Sequence, residues 1–476
     1  MNLLLLTPEW VVLGVLALLT FFELFQFKDE AFYKKVRNLL QLGGLLAAFA
    51  ALLCIEPKAG TAFGGTYISD PFAAFFKFIF LLAAGAVIQM SREFFDQRLE
   101  RSHEFFLVLW VVLAGFFLLV SANDFLVLFL ALETVTLGFY ILNAYLKNDP
   151  VVIEAGMKYF ILGSLASAVL IFGISLIYAA AGSTLFPDVR ASFVNDPQNP
   201  LLVTGALMVL AGLFFKAGVF PFQLWIPDVY EGAPTPAAAF LSVASKAAGF
   251  AAILRVLYTV FLPLEDKRAL LFGTLALLTL LYGALGALRQ TQIKRLFGYS
   301  SISHAGYLLI GVAAGREVGV AAILFYLSAY ALTTLTIFLV IAIAGRELGS
   351  DRIDAYRGLG RRSPFLAGIF FLALLSSAGV PPLAGFTGKF LVLLAAVRQG
   401  LTPLALVGSL AVAISLYYYL AIVRVMYFAP PSREEPITLC PASKGMLLAL
   451  AAALVAAGFF QGPLLGAAEH AAQYLF

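Results

Sequence analysis

Glu133, Lys216, Lys246, His304 and Lys389 are ionisable side chains set inside runs that are otherwise apolar, and their types suit one chemistry, the taking up and giving away of protons. Glu133 stands in "FLVLFLALETVTLGFYIL", Lys216 in "LFFKAGVFPFQLW", Lys246 in "LSVASKAAGF", His304 in "YSSISHAGYLLIG" and Lys389 in "LAGFTGKFLVLL". Ionisable groups within membrane spans are rare, and by default they mark an ion or proton path. A lysine used this way must lose its proton near neutral pH. Removal from water favours the neutral amine, and a nearby carboxylate favours the ammonium. A Glu133 that approaches and leaves Lys216 would therefore act as a switch. Lysines placed in series add to this, because a proton on one raises the cost of a proton on the next. The bland alternative for Glu133 and each lysine is a buried ion pair that fixes helix packing. For His304 it is a packing histidine with its hydrogen bonds satisfied.

The elements that position these groups follow from composition. The chain has 476 residues, 62% of them apolar and 12% charged, against about half apolar and a quarter charged in soluble domains. It reads as an all-α polytopic membrane protein. Apolar runs predict about fourteen spans of roughly 20 residues each. They cover 8–27, 38–55, 71–91, 104–121, 124–146, 155–181, 202–226, 236–262, 269–288, 297–314, 318–345, 364–400, 402–428 and 444–463. The first segment, "MNLLLLTPEWVVLGVLALLTFFELF", has no basic leader or small-residue cleavage site, so it reads as a retained span. Loops after odd-numbered spans hold most of the Lys and Arg, among them Lys28, Lys34, Lys35, Arg98, Arg101, Arg361, Arg362 and Arg433. Loops after even-numbered spans hold only Lys58, Arg190, Lys267, Arg268, Arg316 and Arg398. The basic loops are expected in the cytoplasm, with both termini on the other side. Two further cations fall inside spans. Lys77 is expected to snorkel to the headgroups. Arg255 follows Lys246 by about 900° of helical rotation and so faces the opposite way; it is expected to have a structural partner or to snorkel.

Other chemistries find little support. Cys54 and Cys440 lie near span ends, and with His103, His304 and His470 they form no spaced metal or iron–sulfur set. There is no P-loop, and "RGLGRR" lacks both the third glycine and the preceding strand of a dinucleotide site. Any nucleotide or redox centre is expected in another subunit. Nothing points to nucleic acid. Two segments match each other: "LFFKAGVFPFQLW" and "LLSSAGVPPLAGF" both end an apolar half-helix with Ala-Gly-Val, then a proline, then an aromatic. They lie in spans seven and twelve. Five spans is an odd number, so the second crosses in the opposite sense, as in an inverted-repeat transporter. Broken backbone at membrane depth is tolerated where it is buried in protein or faces water.

Long segments carry a resemblance. "KAGVFPFQLWIPDVYEGAPTPAAAFLSVASKAAGFAAILRV", "LETVTLGFYIL", "GMKYFILGSLASAVLIFGISLIY", "QTQIKRLFGYSSISHAGYLLIG" and "GVPPLAGFTGKF" together resemble the chain N family of proton-pumping NADH:quinone oxidoreductase, the antiporter-like membrane subunits of bacterial respiratory complex I. "PDVYEGAPTP" and a lysine in the eighth span favour chain N over chains L and M. The resemblance implies two inverted five-helix units, residues 104–262 and 263–428, between N-terminal spans in 1–103 and a last span in 429–476. It implies no cofactor in this chain, with NADH, FMN, iron–sulfur clusters and quinone in partner subunits. It implies other membrane subunits as partners and residence in the cell (inner) membrane. It places Glu133 and Lys216 in a first half-channel, Lys246 at the connection and Lys389 in the exit half. His304 is expected to bridge between Lys246 and Lys389. The family often has histidine where this chain has Gln223, which cannot titrate. Its motif also points to Glu154 and Lys158, which read better as an ordinary exposed i,i+4 pair. Two other readings compete: a multisubunit sodium/proton antiporter subunit, which shares the fold, and a membrane scaffold whose buried charges serve assembly alone.

Overall fold

Helix starts follow the local punctuation of the sequence. Asp124, Asp149 and Asn199 are N-caps whose side chains accept first-turn N–H groups, and Pro150 and Pro200 follow directly, where a missing N–H costs nothing. The computed structural model describes residues 3–24, 30–54, 60–96, 103–261, 267–431 and 435–476. Of the cations used above to orient the chain, Lys28, Lys58, Arg98, Arg101 and Arg433 lie outside the described residues.

The chain opens with α1 (Thr7–Leu24) and α2 (Glu30–Cys54), then an antiparallel hairpin of β1 (Gly60–Ala62) and β2 (Tyr67–Ser69). Next come α3 (Pro71–Asp96), α4 (His103–Val120), α5 (Phe125–Asn143), α6 (Pro150–Ala181), a short α7 (Phe186–Asn195) and α8 (Pro200–Ala217). After a break follow α9 (Trp225–Gly232), α10 (Thr235–Phe240), a π-helical turn (Leu241–Ser245) and α11 (Lys246–Thr259). The second half holds α12 (Arg268–Ala287), α13 (Ile293–Ala314), α14 (Arg316–Leu348), α15 (Leu359–Arg362) and α16 (Pro364–Ala378). It ends with α17 (Ala384–Arg398), α18 (Thr402–Phe428), α19 (Pro441–Phe459) and α20 (Gln461–Gln473).

Thirteen of the described helical segments are long and apolar enough to cross a membrane. The remaining expected span, 364–400, is divided into α16 and α17, and the expected 202–226 span is cut after Ala217. The last expected span, 444–463, stops at Phe459, and α20 follows it. The hairpin, α7 and α20 have no counterpart in the apolar-run reading, because short or mixed-polarity elements leave no long apolar run.

The spans differ in how fully they are buried within the protein. Of their most apolar windows, the Thr235–Thr259 segment is 100% buried and α13 94%, whereas α19 is 28%. The continuous helix α14 packs against α13, α16, α17, α19 and α20. With 33 residues it is about 50 Å long at 1.5 Å per residue, well beyond the hydrocarbon thickness of roughly 30 Å.

The packing settles the two further cations that fall inside spans, Lys77 and Arg255. Lys77 does not snorkel. It is buried, with Nζ 2.5 Å from Glu9 Oε1 and 3.2 Å from the Tyr67 hydroxyl. Tyr67 in β2 also donates to Glu9, at 2.8 Å, so α1 and the hairpin partner the ammonium inside the protein. Arg255 has a structural partner: both terminal nitrogens bind the Asp70 carboxylate, at 2.7 and 3.0 Å, and one also reaches the Val120 carbonyl at 3.0 Å. Asp70 in turn caps α3 by accepting from Ala73 N–H.

Candidate functional site

The first break is built on Gly218. Its φ of 74° is left-handed, a conformation glycine adopts without the Cβ clash of other residues. A Cβ there would stand 2.3 Å from Ile226 Cδ1. The N–H of Gly218 returns to the Phe215 carbonyl and that of Val219 to Phe214, at 3.0 Å, closing α8. The second break repeats this. Gly379 has φ 85°, and the N–H groups of Gly379 and Val380 both return to Leu375 at 3.0 Å.

The lysines sit differently at the two breaks. Lys216 precedes its glycine, in the last turn of α8, where the helix dipole favours a cation. Its Nζ donates to Thr136 Oγ1 of α5 and lies 5.9 Å from the centre of the Tyr159 ring. Lys389 follows its glycine, on α17, and folds back to donate to the last carbonyls of α16, Ser377 at 2.7 Å and Ala378 at 3.2 Å. At the first break the Trp225 indole N–H takes the comparable position, donating to the Phe215 carbonyl at 3.1 Å.

Between the breaks, Lys246 begins α11 directly after the π-helical turn, and such turns recur at functional positions. Its Nζ donates to the Ser301 carbonyl of α13. Tyr230 and Tyr330 each share a hydrogen bond with the Ser301 hydroxyl, at 3.1 Å. One turn further along α13, His304 Nδ1 is 2.6 Å from the Tyr326 hydroxyl, and Nε2 is 3.5 Å from that of Tyr419. Tyr419 also bonds Ser300. Glu133 lies one turn before Thr136 on α5 and accepts from the Ser167 hydroxyl at 2.5 Å. Glu133 and Lys216 thus stand on adjoining hydrogen-bonded groups, each satisfied by a hydroxyl.

All the expected residues therefore fall in polar clusters along the inner helices. The bonds join them in groups and leave gaps between groups. Thr136, Ser167, Tyr230, Ser301, Tyr326, Tyr330 and Tyr419 were not named from the sequence. Only "YSSISH", with its hydroxyls beside His304, gave a local signal for one of them. Among the described residues, no group of three or more His, Cys, Asp or Glu side chains converges to hold a metal.

The three lysines expected to carry protons differ in their partners from Lys77, Arg255 and Lys294. Lys216, Lys246 and Lys389 are 7%, 3% and 3% exposed and bind neutral oxygens. Lys77, Arg255 and Lys294 bind carboxylates.

At the end of the bundle where α6 starts, Lys158 bridges Glu154 and Asp228, both at 2.8 Å, and Arg295 bridges Asp228 and Glu231 at 2.6 and 2.8 Å. The expected ordinary pair is thus one edge of a network joining α6, α9 and α13. Burial pushes the Asp228 carboxyl up, but the Lys158 and Arg295 hydrogen bonds outweigh it and hold the carboxyl below its usual range.

A helical bundle with two glycine-closed breaks and a line of buried amines defines a membrane subunit of the ion-translocating kind. Residues 122–415 match the family described as "NADH:quinone oxidoreductase/Mrp antiporter, TM". NADH-quinone oxidoreductase subunit N of Desulforamulus reducens is 38% identical, with 90% of each chain covered. A chain of respiratory complex I from Thermus thermophilus has a TM-score of 0.81 at 33% identity, covering 96% of this chain and 98% of that one. A chain of the Mrp complex from Dietzia sp. DQ12-45-1b reaches a TM-score of 0.85 at 22% identity, covering 100% and 98%, and shares the fold. The chain belongs to the NADH-quinone oxidoreductase subunit N family.

Proposed function

We propose that this chain moves protons across the membrane through Glu133, Lys216, Lys246, His304 and Lys389, as an antiporter-like membrane subunit of NADH:quinone oxidoreductase. Electron transfer takes place in partner subunits, which hold NADH, FMN, the iron–sulfur clusters and quinone. Within the multi-pass chain, residues 104–262 and 263–428 act as two oppositely inserted units, each with one broken span. Both termini face away from the cytoplasm.

The observation that carries this reading is the neutral oxygen partner of each relay lysine. An ammonium held by a hydroxyl or carbonyl can lose its proton without leaving a carboxylate buried and unpaired, whereas one paired with a carboxylate cannot. Lys216 receives a proton in the first unit, and Glu133, one helical turn from Thr136, adjusts its affinity by moving. Lys246 and the hydroxyls about Ser301 pass the charge toward His304. Lys389 receives it and releases it to the far side. Water completes the gaps between the bonded groups.

The test measures proton pumping against electron transfer in assembled Lys216→Ala and Lys389→Ala complexes reconstituted in vesicles. Pumping falls several-fold in both while the complex still assembles. Undiminished pumping in both would overturn the reading, and loss of assembly itself would favour the scaffold.

A further inference from the structure

Buried polar groups continue from Lys216 along α5. Thr136, Tyr140 and Asn143 stand at i, i+4 and i+7, so they occupy one face of the helix within about 60° of each other. Thr136 accepts from Lys216. The Tyr140 hydroxyl is buried against α6, beside Gly163 and Ser164. Asn143, the last residue of α5, is 0% exposed, and neither Nδ2 nor Oδ1 meets a protein partner. Buried amide groups are nearly always hydrogen-bonded, and each one left unpaired costs about 1–3 kcal/mol. A side chain with both kinds of hydrogen-bonding atom unmet is a place for water.

An open cavity of about 650 Å³ lies at this end of the helix. Leu146, three residues beyond Asn143, lines it, together with Asp149, Val152, Glu231, Thr235 and Lys294. Phe139, one turn before Asn143, packs on Phe240 of α10 with ring centres 5.6 Å apart. Helical rotation therefore turns Asn143 between two directions, that of α10, whose first residue Thr235 lines the cavity, and that of Thr136 and Lys216. The lining loops follow odd-numbered spans and so lie on the cytoplasmic side in the orientation proposed above.

We infer that Asn143 holds the water through which Lys216 is loaded from this cavity. This rests on the reading of Lys216 as a proton carrier and names how that residue is reached. A proton arriving in the cavity passes to water held by the Asn143 amide. A file of waters carries it about 10 Å along α5, past Tyr140, and the last gives a proton to the Thr136 hydroxyl as that hydroxyl turns from the Leu132 carbonyl and gives its own to the neutral Lys216 amine. Thr136 ends unchanged and Lys216 carries one more proton. Asn143 is a positioning residue, since it holds water and takes no proton itself.

The test uses the assembled complex with Cys54→Ser and Cys440→Ser in this chain. Asn143→Cys and, as a dry control on the same helix, Val135→Cys are exposed to a charged methanethiosulfonate ethylammonium reagent on the cytoplasmic face of membrane vesicles, and the mass of this chain is read. Faster labelling of Asn143→Cys than of Val135→Cys is expected, and equal or absent labelling overturns the inference. Pumping is read in parallel. Asn143→Leu is expected to pump several-fold more slowly, with Asn143→Ser recovering most of the loss. Lys216→Met serves as reference. If Lys216→Met pumps normally, the reading of Lys216 as a proton carrier fails, and with it the ground of this inference. If Lys216→Met stops pumping while Asn143→Leu matches the unaltered complex, this inference alone fails.

Discussion

Two regions of the molecule bury cations in opposite ways. In the corner formed by α1, the hairpin, α3 and α11, Lys77 meets Glu9 and Arg255 meets Asp70, each in direct ion-pair contact. Along the inner helices, Lys216, Lys246 and Lys389 meet a hydroxyl or main-chain carbonyls. Burial is alike in the two places, so depth alone does not distinguish the two groups of cations. On the proposed function, the partner does. A carboxylate keeps an ammonium charged, while a neutral oxygen lets it change state.

This contrast can be broken in order of effect on the assembled subunit. Asp70→Ala leaves Arg255 buried without its anion and is expected to destabilise by about 3–5 kcal/mol. The measure is recovery of assembled complex and its thermal midpoint. Lys77→Met strands Glu9 in the same manner, but Lys77→Met with Glu9→Leu removes both charges and should regain much of the loss. A double-mutant cycle reads the coupling, and an additive result would remove the ion pair from the structural account. Lys246→Met strands no carboxylate and is close in volume, so the stability change should stay below about 1.5 kcal/mol while pumping is lost. Lys246→Arg should also fail to pump, because a guanidinium keeps its proton. Pumping by that variant would argue that charge alone suffices at this position.

The smallest effect is expected in the network around Asp228. Its carboxyl is held below the usual range in the folded protein, so its stabilising share is present at neutral pH and disappears as pH falls through that lowered value. Asp228→Asn should cost no more than about 1 kcal/mol, as partly exposed ion pairs do. It should also flatten the acid limb of stability below the ordinary carboxylate value of about 4, by the share of one carboxylate. An unchanged acid limb would take Asp228 out of the packing of α9.

The breaks were legible because glycine and proline announce them locally. Ala-Gly-Val before Pro221 and Pro382 predicts a helix end, and Gly218 and Gly379 have the left-handed backbone that such an end uses. Deep placement of Lys216, Lys246 and Lys389 was legible from the apolar runs around them. Their partners were not. Arg255 and Asp70 are 185 residues apart in sequence, and contacts of that separation have no local signature. Main-chain carbonyls of Ser301 and Ser377 leave no trace in residue type at all. Lys77 shows the same limit from the other side: its distance from the span end suggested a route to the headgroups, yet Glu9, far off in sequence, and Tyr67, ten residues before it, hold it inside.

The fold of Lys389 back onto α16 has a mechanical consequence. Its ammonium lies on the electronegative end of that helix, an arrangement worth about 0.3–2 kcal/mol while the charge is present. If Lys389 gives up its proton as proposed, that attraction departs with it, the half-helix loses part of what anchors its tip, and α14, which packs on α16, is the neighbour placed to respond.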